Sequence, residues 1–155
     1  MAGITTAMCT SFKEELLGGL HDLDTDVLKL ALIKASPTEN YGANTTTYDG
    51  TSTGDGTSLT AGTNDESSGT NYSAGGQTLD GATISTDGTT AIVDFTDEVF
   101  ADVTVSADGC LIYNSSKSNR AIAVIDFGGT VSATAGDLTI EFPADDASNA
   151  VIRIA

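Results

Sequence analysis

The stretch GCLIYNSSKSNRAIAVIDFGGTVSATAGDLTIEFPADDASNAVIRIA, residues 109–155, decides the fold. It contains four apolar runs: Cys110–Tyr113, Ala121–Phe127, Leu138–Phe142 and Ala150–Ile154. Each run is short, rich in branched or aromatic side chains, and bounded by Gly, Ser, Asn or Pro, a pattern typical of successive β-strands. The connections between them are then Asn114–Asn119, Gly128–Gly136 and Pro143–Asn149.

Further strand patterns precede this region. They cover Gln77–Ile84, Thr89–Phe95 and Val99–Val105, with turns at Asp87–Gly88 and Asp108–Gly109. Val27–Ala35 predicts another strand, although its Leu, Lys and Ala residues would also suit a helix. Seven or eight strands at short spacing, with no intervening helices, predict an all-β fold, namely an antiparallel β-sandwich or barrel.

The N-terminal region predicts a short helix after an extended arm. Ser11 is a candidate N-cap, Glu14 follows at the capping-box spacing, and the helix should end near His21. Residues 1–10 lack periodicity and form the predicted arm, which either frays or lies on a neighbouring subunit. Residues 11–155 form a single β domain in this interpretation.

Residues 39–73 are a Thr/Gly-rich insertion with few large apolar side chains. Such a composition cannot by itself offset the entropy lost on ordering the chain. Two arrangements stay open: a mobile loop, or a segment ordered against a neighbouring subunit. Under the second arrangement, the candidate inter-subunit residues of the insertion and the arm are Ile4, Met8, Cys9, Tyr41, Tyr48 and Tyr72.

The charge balance restricts the partners. The chain has 22 Asp and Glu against 6 Lys and Arg, a formal net charge of −16. Such a field repels phosphate backbones and anionic lipid, so we expect neither nucleic acid nor membrane as a partner. The N-terminal MAGITTAMCTSFKEE lacks the basic and apolar regions of a signal peptide, and no apolar run has the roughly 18 residues of a transmembrane helix.

No motif indicates catalysis or a cofactor. The chain has one histidine, His21, and neither a G-x-S-x-G nor a P-loop sequence. Cys9 and Cys110 form no C-x-x-C unit, so they are either buried thiols or a bridge within or between chains. Clustered carboxylates suit Ca²⁺, which makes Asp94, Asp97 and Asp102 candidate ligands, although their spacing matches no EF-hand loop and a solvated acidic rim explains them as well.

The order of these patterns resembles that of small structural proteins of tailed bacteriophages, usually head-decoration (cement) or tail-associated virion proteins. The segments that carry the resemblance are FKEELLGGLHDLDTDVLKLALI, CLIYN, SNRAIAVIDFGG, AGDLTIEFP and AVIRIA. The insertion at residues 39–73 departs from the shorter pattern of that group.

The resemblance implies a non-enzymatic capsid decoration protein, made in the host cytoplasm and located in the virion. It would bind the outer shell as a homo-oligomer, for example a trimer, with the major capsid protein or other virion subunits as partners. One alternative is a self-assembling tail, fibre, filament or tube subunit. Another is a cell-encoded binding module or enzyme.

Overall fold

A computed structural model describes residues 2–49, 57–60 and 65–155 of the chain. Within them lies one α-helix, α1 (Thr10–Leu17), and a short 3-10 turn at Ser115–Lys117. The strands of these residues are β1 (Ala7–Met8), β2 (Leu28–Lys34), β3 (Thr45–Tyr48), β4 (Thr57–Leu59), β5 (Gln77–Thr78), β6 (Thr83–Asp87), β7 (Thr90–Asp94), β8 (Glu98–Asn114), β9 (Arg120–Ile140) and β10 (Ile152–Ile154).

The strands form two sheets. The larger has the order β4-β3-β9-β8-β2-β5, with β1 also paired to β9, and the smaller is an antiparallel sheet in the order β10-β7-β6. The predicted β-rich fold is confirmed. The predicted purely antiparallel arrangement is wrong, because β3 and β4 pair in parallel and make the large sheet mixed. Parallel neighbouring strands cannot be joined by a two-residue hairpin, so the sequence contains no turn pattern that would have predicted this pair.

The two longest strands, β8 and β9, form a hairpin at the centre of the large sheet. Each of them joins two strands that the sequence predicted as separate. The turn predicted at Asp108–Gly109 and the connection predicted at Gly128–Gly136 are therefore wrong. Ala107 pairs with Val131 whereas Gly109 pairs with Asp126, so the extra residues of β9 are accommodated as a bulge within the ladder.

Gly109 shows why that turn signal misled. A Cβ atom at this position would collide with the carbonyl oxygen of Ile125 on the facing strand. Glycine is thus required by the close approach of two backbones rather than by a reversal of the chain. The same residue type does mark a turn at Gly88, where φ is +60° and the β6–β7 hairpin reverses as predicted.

Strand β2 settles the choice between strand and helix for Val27–Ala35. It lies between β8 and β5 and has buried Leu30, Ala31 and Leu32 in succession. A strand covered on both faces has a continuous apolar run instead of an alternating one. The sequence pattern of Val27–Ala35 therefore did not distinguish a strand from a helix. The predicted strand Gln77–Ile84 is divided between β5 and β6.

Helix α1 exists, but its ends differ from the prediction. The N-cap is Cys9 rather than Ser11, without a side-chain capping bond, and the last helical residue is Leu17 rather than one near His21. Gly19, at φ +74°, follows the helix end in the left-handed conformation that glycine adopts readily. No helix in the described part of the chain combines the length and hydropathy needed to cross a membrane.

Candidate assembly surfaces

The N-terminal arm is extended, as expected, and lies on its own chain. Ala7 of β1 pairs with Val124 of β9, and the Cys9 backbone N–H donates to the Ile122 carbonyl at 2.9 Å. Ile4 forms a parallel bridge with Tyr41. Ala7 and Met8 are therefore part of the large sheet, and Ile4 is held against Tyr41, while Met1 lies outside the described residues.

The six inter-subunit candidates fall into two groups. Cys9, Tyr41 and Tyr48 are 0, 2 and 5% exposed and belong to the chain's own core. Side chains so fully covered have no surface left for a neighbour, so the inter-subunit role expected of these three is not supported in this conformation. The other three, Ile4, Met8 and Tyr72, are partly buried against the same core.

Sequence reasoning missed Asp65, whose buried carboxylate orders part of the insertion. It accepts hydrogen bonds from the backbone N–H groups of Thr38 at 2.8 Å and Glu39 at 2.7 Å and from the Tyr41 hydroxyl at 3.1 Å, and lies 2.8 Å from Lys34 Nζ. Burial by itself would raise the pKa of Asp65, but the Lys34 ammonium and the Thr38 and Glu39 donors outweigh it and lower the pKa to about 2.

The neighbouring Glu66 forms a second buried centre. Its carboxylate accepts hydrogen bonds from the hydroxyls of Tyr48 and Tyr72, both at 2.9 Å, and from the Gly75 backbone N–H at 2.7 Å. Tyr113 stacks on Tyr48 with ring centroids 4.5 Å apart and donates to the Gly75 carbonyl at 2.8 Å. The described parts of residues 39–73 thus pack on the chain's own β2, β8 and β9, an arrangement that neither sequence alternative included. Residues 50–56 and 61–64 of the insertion lie outside the described residues.

The structure does not bring the calcium candidates together. Asp97 accepts a hydrogen bond from the Phe142 backbone N–H at 2.8 Å, and Asp102 adopts φ +52° in β8, where its own N–H donates to Asp137. Asp94 ends β7. Among the described residues no three His, Cys, Asp or Glu side chains are close enough to hold a metal ion. These carboxylates therefore do not form the cation site that their clustering suggested.

The cysteines are two separate buried thiols. Both are free and fully covered, and burial raises the pKa of each thiol to about 12. Of the two alternatives left open by the sequence, the structure has the buried thiols and not a bridge.

His21 is held in a polar cluster under α1. Its Nδ1 lies 3.0 Å from Asn114 Nδ2, which can only donate, so Nδ1 accepts and the ring proton is on Nε2. Nε2 lies 2.9 Å from Glu15, which also pairs with Arg120 at 3.0 Å. Both ring nitrogens therefore have partners, and the arrangement positions the helix end rather than presenting a base to a substrate.

An apolar groove lies between α1 with its following turn and the small sheet. We call it the helix–sheet groove; its volume is about 430 Å³. Ile84 and Ile154 lie at its rim and are 55 and 50% exposed. The groove is lined by Leu16, His21, Asp22, Leu23, Ile84, Ala91, Ile92, Val93, Ile152 and Ile154.

A second groove, of about 210 Å³, runs along β9 and the residues that follow it, and is lined by side chains such as Phe127, Leu138 and Phe142. One edge of β9 pairs with β8, and the other edge pairs with β3 and β1 only as far as Val124. After Val124, this second edge has no partner strand among the described residues. An unpaired edge of this kind can accept another strand, although the bulges in β9 make it less regular.

No protein-family model matches this chain, and no curated protein or solved structure shows significant similarity to it.

Proposed function

We propose that this chain is a non-enzymatic structural subunit of a phage virion, and specifically a head-decoration (cement) protein. It binds the outer shell as a homo-oligomer, of which a trimer is one closed form. Its partners are the major capsid protein or other virion subunits. The resemblance of the four terminal apolar segments to the pattern of such proteins supplies the class.

The observation that carries the proposal is an apolar groove on a highly acidic protein. Large aliphatic side chains are exposed at this groove: Ile84 and Ile154 at its rim are 55 and 50% exposed. Leu17, which follows the lining residue Leu16 in sequence, is 92% exposed. Apolar side chains grouped at a concave surface are typical of interaction sites. A net charge of −16 keeps free copies apart in solution until they meet a surface of complementary character.

The interior is consistent with a structural role. The buried carboxylates of Asp65 and Glu66 accept hydrogen bonds from backbone N–H groups and tyrosine hydroxyls, and both thiols are buried. None of these groups is among the described residues that line the two grooves. A β domain whose buried carboxylates Asp65 and Glu66 are held by several donors each is suited to being displayed in many copies.

The alternative, a self-assembling tail, fibre, filament or tube subunit, is favoured by a different observation. The outer edge of β9 beyond Val124 has no partner strand among the described residues. Strand addition at such an edge, repeated from copy to copy, would produce an open polymer.

Particle binding tests the proposal. Virus particles assembled without this gene product should be incubated with the purified chain and sedimented. A decoration protein should cosediment at saturable stoichiometry, and the loaded particles should withstand higher temperature. Absence of cosedimentation would overturn the proposal, and open polymers of the purified chain in electron micrographs would favour the filament alternative.

A further inference from the structure

We propose that the helix–sheet groove is a docking site for one apolar side chain, or a small group of them, from a partner protein whose surrounding surface is basic. The inference rests on the proposed function, because it specifies the chemistry of the shell surface that the chain would contact.

The sheet side of the groove follows from strand register. In the small sheet Ile84 pairs with Val93, and Val93 pairs with Ile152, so the three side chains form one row on one face. Ile154 lies on the same face, two residues farther along β10. Val93 and Ile152 are buried and form the floor, whereas Ile84 and Ile154 are half-exposed at the rim.

The helix side closes the groove with apolar surface. Leu16 and Leu23 line it. The neighbouring His21 side chain is 0% exposed and has Glu15 and Asn114 at its two ring nitrogens, so it offers a ligand no free polar atom. The lining thus offers a ligand little directed hydrogen bonding. A volume of about 430 Å³ falls within the roughly 300–1,000 Å³ range of binding pockets, and it suits aliphatic or aromatic side chains.

Charge decides which occupant is favoured. Asp22 is the charged residue of the lining, which contains no Lys or Arg among the described residues. Asp24, two residues farther along the chain, is exposed. Arg153 alternates to the other face of β10, where its guanidinium donates to the carbonyls of Ala147 and Ser148. A second copy would bring another −16 to this acidic rim, whereas Lys or Arg around a partner's apolar side chain would be attracted.

The probe is a fluorescein-labelled amphipathic peptide with leucines on one helical face and lysines on the other. Two control peptides replace the lysines by glutamates, or the leucines by serines. Fluorescence anisotropy should show binding of the Leu/Lys peptide alone, and added salt should weaken it. Binding as strong for the Ser/Lys peptide would overturn the proposal, since charge without an apolar side chain would then suffice.

Two variants test whether the peptide binds in the helix–sheet groove. Ile84→Asn at the rim should weaken binding about tenfold. Val99→Asn, a comparably exposed aliphatic position of β8 outside the groove lining, should leave binding unchanged. Ile154→Asn repeats the test from the opposite rim, and circular dichroism checks that each variant is folded. Equal binding by the Ile84 and Val99 variants would overturn the proposal.

Light scattering tests the competing occupant. If the wild-type chain associates and Ile84→Asn makes it monomeric, the groove holds a second copy and the proposal is wrong.

Particle binding distinguishes a failure of the groove proposal from a failure of the proposed virion role. If wild type and Ile84→Asn bind particles equally, the groove proposal fails and the role stands. If wild type does not bind while the peptide results hold, the role fails and the chemistry of the groove is supported.

Discussion

The hydroxyl of Tyr48 donates a 2.9 Å hydrogen bond to the carboxylate of Glu66, although 18 positions of sequence separate the two residues. Glu66 is 5% exposed and also accepts from Tyr72 and from the Gly75 backbone. A segment rich in small polar residues is thereby joined to the sheet through a polar centre, in addition to the buried side chains of Tyr41, Tyr48 and Leu59.

Replacing that carboxylate should destabilise the fold strongly. Glu66→Ala leaves the Tyr48 and Tyr72 hydroxyls and the Gly75 N–H without their acceptor, and we expect a loss of about 3 kcal/mol in the free energy of unfolding. Urea titration measures the change. The exposed Glu39→Ala is the matched control and should change stability by less than about 0.5 kcal/mol. Similar losses in the two variants would contradict this account.

Asp65 should make the fold sensitive to acid. Because its pKa is lowered from 3.8 to about 2 in the folded chain, its contribution is fully present above pH 3.8 and is lost as the pH falls toward about 2. The contribution corresponds to about 2 kcal/mol. Urea titrations at successive pH values should show this loss of unfolding free energy in the wild type. In Asp65→Asn, the part of the pH dependence that comes from residue 65 should disappear. An identical pH profile for the two proteins would show that Asp65 is not its source.

Two glycines with similar backbone conformation should respond differently to alanine. Gly76 has φ +66° and a Cβ there would collide with the Leu30 carbonyl oxygen, whereas Gly88 has φ +60° with open space around it. We expect Gly88→Ala to cost about 1 kcal/mol from conformation alone, and Gly76→Ala to cost about 3 kcal/mol or more. Thermal unfolding measures both. Equal shifts in the midpoint would mean that the β2 contact at Gly76 is not as close as the structure has it.

The thiols should resist modification in the native state. Cys9 and Cys110 are 0% exposed, and burial raises the pKa of each to about 12, so the reactive thiolate is scarce at neutral pH. Ellman's reagent should react slowly with the native protein and with two thiols per chain once it is unfolded. Fast native labelling, or a disulfide found by mass spectrometry of the non-reduced protein, would argue against this packing.

The sequence predicted strand content well because β-branched and aromatic runs report burial directly. It located β2, β7 and the turn at Gly88 correctly. It divided β8 and β9 because the pattern does not tell whether a glycine permits a turn or a close approach, and the Ile125 carbonyl that makes the difference at Gly109 lies on another strand. The parallel β3–β4 pair was likewise set by tertiary contacts.

The buried carboxylates could not be found from sequence for a related reason. An Asp–Glu pair in a Thr/Gly-rich segment normally predicts solvent exposure. Both residues are buried here because hydrogen-bond donors surround their carboxylates. Those of Asp65 include Thr38, Glu39 and Tyr41, and those of Glu66 include Tyr48 and Tyr72. The helix–sheet groove depends in the same way on the placement of β10 beside β7, which no local pattern announced.

The pairing of Ala7 with Val124 has a consequence for biosynthesis. Strand β1 leaves the ribosome before β9, and its pairing partner is translated more than a hundred residues later, so this pairing cannot form until β9 has been made. Pairings so distant in sequence are slow to form. The growing chain would therefore depend on its dense negative charge, rather than on early folding, to avoid aggregation during translation.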